Sequence, residues 1–267
     1  MPGTLPSPGL GTSGNADPEQ CATTVKTALE IGYRHIDTAQ MYDNERAVGR
    51  GIASAPVDRD DVWLATKIHP TNLAPDAINR TFTESLDRLG VDAVDMLYVH
   101  WPTRAYDPDA TLPVFDELYS DGKVDNVCVS NFTPALLDEA REILEAPIFA
   151  NQIEMHPLLP QSELVEYAQR HDHYIVAYSP LGRGEILDHP VLTEIADEYE
   201  ATPAQIALAW LLDHDRVVPI PKATGTPHLE ENFAAQELTL ADETIARIDA
   251  IDARKRLLVP DANPWGE

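Results

Sequence analysis

Arg34 to Glu45 reads RHIDTAQMYDNE. Ile36–Ala39 has the run of a short buried strand, and Asp37 falls near its C-terminal end. Tyr42 follows five residues later on a turn. Asn44 is placed to cap the helix that opens at Glu45. A carboxylate and a phenol are therefore held at the mouth of one strand, ahead of a helix.

Outward from this stretch the pattern repeats. After a Pro/Gly-rich start with a short strand at Pro8–Thr12, a helix is predicted over Pro18–Ile31, with Asp17 as its cap. Further strands are predicted at Val62–Ile68, Val94–His100, Val124–Ser130, Phe149–Glu154, Tyr174–Tyr178 and Val217–Ile220. Helices are predicted over Glu45–Ser54, Pro75–Leu89, Asp109–Ser120, Pro134–Glu145, Glu163–Arg170, Val191–Glu200 with Pro203–Asp213, Pro227–Phe233 and Ala241–Ile251. Short continuous apolar strands alternating with amphipathic helices imply a parallel sheet covered by helices. Eight such units fit an α/β (β/α)8 TIM barrel, a single domain over residues 1–267, with extra helices before the last strand and at the C-terminus. The doubly wound open sheet is the alternative. Gly9, Gly11 and Gly14 match G-x-G-x-x-G, but three prolines precede them, which argues against a central strand.

The 267 residues hold 45 acidic and 19 basic side chains, a formal charge of −26. That field disfavours nucleic acid and anionic membranes. Only five of the cations are lysines: Lys26, Lys67, Lys123, Lys222 and Lys255. Abundant Asp and Glu with scarce Lys suggests a salt-adapted, haloarchaeal-type host, where screening tolerates the self-repulsion. Cys21 and Cys128 lie far apart and without metal spacing, so two reduced buried thiols are expected. No secretory leader pattern opens the chain and no apolar run is long enough to span a bilayer, pointing to a soluble cytoplasmic protein. Short loops and a charged surface point to a monomer.

In a barrel of this kind the chemistry sits at the C-terminal ends of the strands. Seven successive strand ends supply polar or aromatic groups: Asp37 with Tyr42, Lys67, His100 with Trp101, Ser130 with Asn131, Gln152, Tyr178, and Lys222. Lys67 near the end of an apolar strand needs a carboxylate partner, and Asp37 on the neighbouring strand is the natural one. Taken alone the pair could be structural. A nearby ammonium stabilises a phenolate, so Lys67 is expected to lower the Tyr42 pKa, with His100 sharing the proton or bonding a substrate oxygen. Thr12 and Ser13 are expected on the rim. Lys222, Thr224 and the start of the last barrel helix make a cationic anion site, where such barrels hold phosphate.

GLGT at Gly9, the HIDTAQMYDNE stretch, TK at Thr66, LYVHWP at Leu97, SNF at Ser130, NQIEMHP at Asn151, AYSPLG at Ala177 and IPK…EENF from Ile220 together resemble the aldo-keto reductase family. The short loop after Tyr178 is most similar to the prokaryotic 2,5-diketo-D-gluconate reductase-like subgroup. The resemblance implies an NAD(P)H-dependent oxidoreductase (EC 1.1.1.-) that reduces aldehydes and ketones. It implies Tyr42 as proton donor, Lys67 and Asp37 as its activating pair, and His100 as the group orienting the carbonyl. It implies cofactor contacts from Thr12, Asp37, Ser130, Asn131, Gln152, Tyr178, Ser179, Leu181, Lys222, Ala223, Thr224, His228, Glu231 and Asn232. Ser13, Tyr42, His100, Trp101 and Trp265 are implied around the substrate, and no metal. Family members commonly have Ser at Ala223 and Arg at His228, both aimed at the 2′-phosphate of NADPH, so NADH use beside NADPH is expected. Two other readings fit the same residues: a Schiff-base lyase using Lys67, and a barrel that binds nucleotide without catalysis.

Overall fold

The computed structural model describes residues 4–259 and 264–265. Eight parallel strands lie in sequence order: β1 (Leu10–Gly11), β2 (His35–Asp37), β3 (Trp63–Ile68), β4 (Val94–Val99), β5 (Val124–Ser130), β6 (Ile148–Glu154), β7 (Tyr174–Tyr178) and β8 (Val217–Pro219). The Gly9 amide donates to Pro219 O (3.0 Å) and the Gly11 amide to Pro221 O (3.2 Å), joining the last strand to the first. This is the expected (β/α)8 barrel, and the open-sheet alternative falls. The G-x-G-x-x-G match has a packing cause: a Cβ on Gly11 would stand 2.7 Å from Ile220 O at this seam.

The helices are α1 (Pro18–Ile31), α2 (Glu45–Ser54), α3 (Pro75–Leu89), α4 (Pro108–Ser120), α5 (Pro134–Ile143), α6 (Ser162–His171), α7 (Pro190–Glu198), α8 (Pro203–Asp213), α9 (Thr226–Ala234) and α10 (Asp242–Asp249). The extra helices are α7, inserted before α8, and α10 at the end. Six of these helices open on proline, which lacks the amide that a first turn leaves unbonded. Side chains finish several starts. Asp17 accepts from the Gln20 amide, and Thr202 with Gln205 forms a capping box. Asn44 departs from its expected role. It stands before α2 with no capping bond. Its buried amide instead donates to Thr12 O (2.9 Å) and Asn15 O (3.3 Å) and accepts from the Thr38 hydroxyl, because the loop after β1 presents carbonyls that need partners.

Strand period places the site. Successive residues alternate between the helix side and the barrel interior. The interior cluster contains Ala65, Tyr98, Cys128, Ala150 and Val176. Two residues further along each strand stand Lys67, His100, Ser130, Gln152 and Tyr178. The same parity that packs an apolar plug below therefore stacks a polar layer above it, at the C-terminal mouth. The larger core lies between sheet and helices, with Leu64, Phe82, Leu97, Phe115, Phe132 and Trp210 fully buried. Cys21 and Cys128 are free and buried, and burial pushes the Cys21 thiol up to about 11.

Candidate active site

A cavity of about 1100 Å³ opens at the C-terminal mouth. It is lined by Ser13, Asp37, Tyr42, His100, Trp101, Ser130, Asn131, Gln152, Tyr178, Ser179, Leu181 and Lys222, among others. Its volume exceeds that of the usual single-ligand pocket, leaving room for two ligands side by side.

At its base Lys67 is 0% exposed. Its ammonium donates to Asp37 Oδ1 (2.5 Å), Thr38 O (2.8 Å) and the Tyr42 hydroxyl (3.4 Å). Burial opposes the charge, but Asp37 and Tyr42 more than offset it and hold the Lys67 pKa above its ordinary value. With all three N–H groups engaged, Lys67 has no free amine to attack a carbonyl, which removes the support for a Schiff-base reading. The second Asp37 oxygen accepts from Gln152 Nε2 (2.8 Å), so the carboxylate is tied to β6 as well as to β3.

Tyr42 sits on a 3₁₀ turn, Gln40–Tyr42, that Gln40 pins in place. The Gln40 amide donates to Thr81 O and the Ser85 hydroxyl, and accepts from the His69 amide and Asn72. The expected depression of the Tyr42 pKa is not the net result. Burial raises it above the ordinary phenol value, and this outweighs the lowering by Lys67 and by hydrogen bonds from Lys67 and Ser13. His100 meets the Tyr42 ring edge-on, with centroids 5.8 Å apart. Burial, Lys67 and His69 hold the His100 imidazole well below its usual pKa, hence neutral. Its buried Nδ1 has no partner among the described residues.

Ser130, Asn131 and Gln152 come together, and each is engaged within the protein. The Ser130 hydroxyl donates to Gln152 O, and Asn131 Nδ2 donates to His100 O and to Ser130 Oγ. Asn131 accepts from the Tyr178 hydroxyl (2.9 Å). Thr12 differs from expectation. It is fully buried, does not line the cavity, and donates its hydroxyl to Asp37 O, because β1 ends one residue earlier and turns it inward. Ala223, Thr224, His228, Glu231 and Asn232 also lie outside the cavity lining, around the start of α9. His228 is 77% exposed in its side chain and faces Glu231 at 3.3 Å. Glu231 in turn accepts from the Thr202 hydroxyl. Trp265, expected at the substrate, is instead found in a separate, smaller depression beside Thr133, Gln161 and Ser162, under the Arg256 guanidinium.

Sequence reasoning missed several groups. Arg104 and Arg183 line the cavity with Lys222, and none of the three has a carboxylate partner among the described residues. In a body of charge −26, these cations gather positive charge around the cavity. Glu45, read as a first-turn acid, is buried and accepts from Thr66, Ser85 and Arg88, bracing the strand that carries Lys67. The only available signal was its place three residues after Tyr42.

The family profile "Aldo/keto reductase family" matches residues 7–253. The chain is 39% identical over 264 residues to methylglyoxal reductase DkgB of Escherichia coli O157:H7, covering 96% of this chain and 97% of that protein. It is 38% identical over 256 residues to the 9,11-endoperoxide prostaglandin H2 reductase of Trypanosoma cruzi, covering 95% and 90%. A solved putative 2,5-diketo-D-gluconic acid reductase B superposes with a TM-score of 0.93 at 33% identity, over 97% of this chain and 92% of that one. This barrel, with its site at the strand ends, belongs to the aldo/keto reductase family, an oxidoreductase family that uses nicotinamide cofactors, generally NADPH.

Proposed function

We propose that this chain reduces aldehydes and ketones to alcohols, using either NADPH or NADH. The observation that carries the reading is the contact chain Asp37–Lys67–Tyr42 at the floor of the cavity, beside a neutral His100. A bound dinucleotide would supply a hydride to the carbonyl carbon. Tyr42 gives its proton to the carbonyl oxygen as negative charge develops there. A phenol with a raised pKa is fully protonated at neutral pH and so is always ready to donate. The adjacent Lys67 ammonium stabilises the phenolate left behind, and Asp37 keeps that ammonium charged. His100, being neutral, has an N–H to offer the carbonyl oxygen without competing for the proton.

Ser130, Asn131 and Gln152 would hold the carboxamide by exchanging their internal bonds, and Tyr178 would stack on the nicotinamide ring. Ser179, Leu181, Arg183 and Lys222, all on the cavity wall, would meet the phosphates. Beside the start of α9, His228 stands where relatives commonly carry Arg, and Glu231 faces it. A carboxylate there opposes an additional phosphate, which supports dual cofactor use. We read the protein as a monomeric barrel domain from a salt-rich cytoplasm. Among the described residues no helix is long and apolar enough to cross a membrane. The test is NADPH and NADH oxidation with a panel of aldehydes and ketones at high salt. Turnover abolished by Tyr42→Phe with nucleotide binding retained supports the reading. A lack of turnover across the panel sinks it.

A further inference from the structure

Glu154 ends β6, two residues beyond Gln152, on the interior parity of the strand. It is 0% exposed, and no part of the chemistry above uses it. A buried carboxylate is costly unless its oxygens are bonded. These accept from the Leu257 amide (2.7 Å), the Leu258 amide (2.9 Å) and His156 Nε2 (3.1 Å). Burial pushes its carboxyl up, but these hydrogen bonds outweigh that and hold it below the usual carboxylate range. The segment it grips has no helix or strand of its own from Ile251 to Val259. Among the described residues that segment's other attachments are few. The Lys255 amide donates to Leu158 O (2.9 Å), Lys255 pairs with Glu185 at the surface, and Arg256 lies over Trp265. Exposed ion pairs contribute little. Leu258, itself held by the grip, and Val259, one residue beyond it, line the large cavity, and Val259 is 53% exposed.

We propose that Glu154 is a positioning residue for substrate recognition: it clamps the C-terminal segment so that Leu258 and Val259 form an apolar wall for the organic group of a bulky carbonyl substrate. The inference rests on the reductase reading for its kinetic arm only. The wall stabilises a substrate in proportion to the apolar area it covers, so it discriminates by substrate size. The smallest aldehydes gain nothing from it. The clamp also shares a strand with Gln152, the partner of Asp37, so the wall is held in register with the chemistry.

Glu154→Gln keeps the shape but leaves one carbonyl oxygen facing two amides. Limited trypsin digestion reads the clamp directly, since Arg254, Lys255 and Arg256 lie in the segment. We expect cleavage there to be about tenfold faster in Glu154→Gln, a loss of about 1.4 kcal/mol of protection. With NADPH, KM for a long-chain aldehyde should rise about tenfold, while kcat and KM for the shortest aldehyde stay unchanged. Leu258→Ala should reproduce the KM change with the cleavage rate of the parent. If Glu154→Gln does not fold, Leu257→Pro removes one donor from the segment's side and should show the same two effects. Unchanged cleavage, or an equal effect on both aldehydes, overturns the proposal. A parent protein with no reductase activity but with protected cleavage sites would defeat the functional reading and leave the clamp standing.

Discussion

Lys67 on β3 and Lys222 just beyond β8 stand at the same cavity, and the chain treats them in opposite ways. Lys67 is sealed from water and all of its N–H groups are taken, by Asp37, Thr38 and Tyr42. Lys222 is exposed and has no carboxylate partner among the described residues. On the reductase reading proposed above, the difference follows from what each end must do. A proton donor works only where its partners are fixed in advance and water is excluded, because charge is stabilised far more strongly there. A phosphate arrives carrying its own charge, so the group that meets it is left free.

The sharpest way to break this contrast is at the sealed end. Tyr42→Phe deletes only the proton donor and should lower kcat about 10³-fold, with nucleotide affinity within about twofold, measured by fluorescence titration. Lys67→Met leaves Asp37 buried without its cation, and unfolding in denaturant should show a loss of about 3–5 kcal/mol. A variant as stable as the parent would mean that Asp37 and Lys67 are not interdependent. The pH profile sharpens the same point. The Tyr42 phenol is held above its ordinary value, so the protonated donor persists and reduction should stay level from about pH 6 to 9. Alcohol oxidation needs the phenolate and should climb throughout that range. A fall in reduction near pH 8 would place the phenol low after all.

At the open end the expected effects are smaller. His228→Arg adds a bidentate cation at an exposed position and should raise kcat/KM for NADPH about three- to tenfold, with NADH little changed. A large NADPH preference in the parent would show that His228 and Glu231 do not weaken phosphate binding. Smallest per group, but spread over the surface, is the charge itself. With a net charge of −26, Tm should rise by several degrees between about 0.1 and 2 M KCl as repulsion is screened. A flat response would remove the salt-adapted reading.

The two ends also differ in how legible they were. Asp37, Lys67 and His100 could be read because each stands at the end of an apolar run whose period and length announce a buried strand, and Tyr42 because it follows the first of these runs on a short turn. The helices α1, α2, α3 and α8 begin and end at the residues predicted for them. Thr12 was misplaced because one residue of strand length decides whether a side chain faces the cavity or the loop beneath it. Asn44 was given a capping role that its position allows but its neighbours overrule. Glu154 was quoted within a motif, yet its hold on Leu257 and Leu258 could not be read, since those partners lie more than a hundred residues away.

Sequence alone determined the eight repeating units, the polar strand ends and the acid-rich surface, because periodicity, capping and composition are local properties of a chain. Only the tertiary structure decided the net direction of the Tyr42 pKa, the engagement of every Lys67 donor and the hold of Glu154 on the C-terminal segment. Each of these is a balance between burial and specific partners, and burial exists only once distant strands have closed around the site.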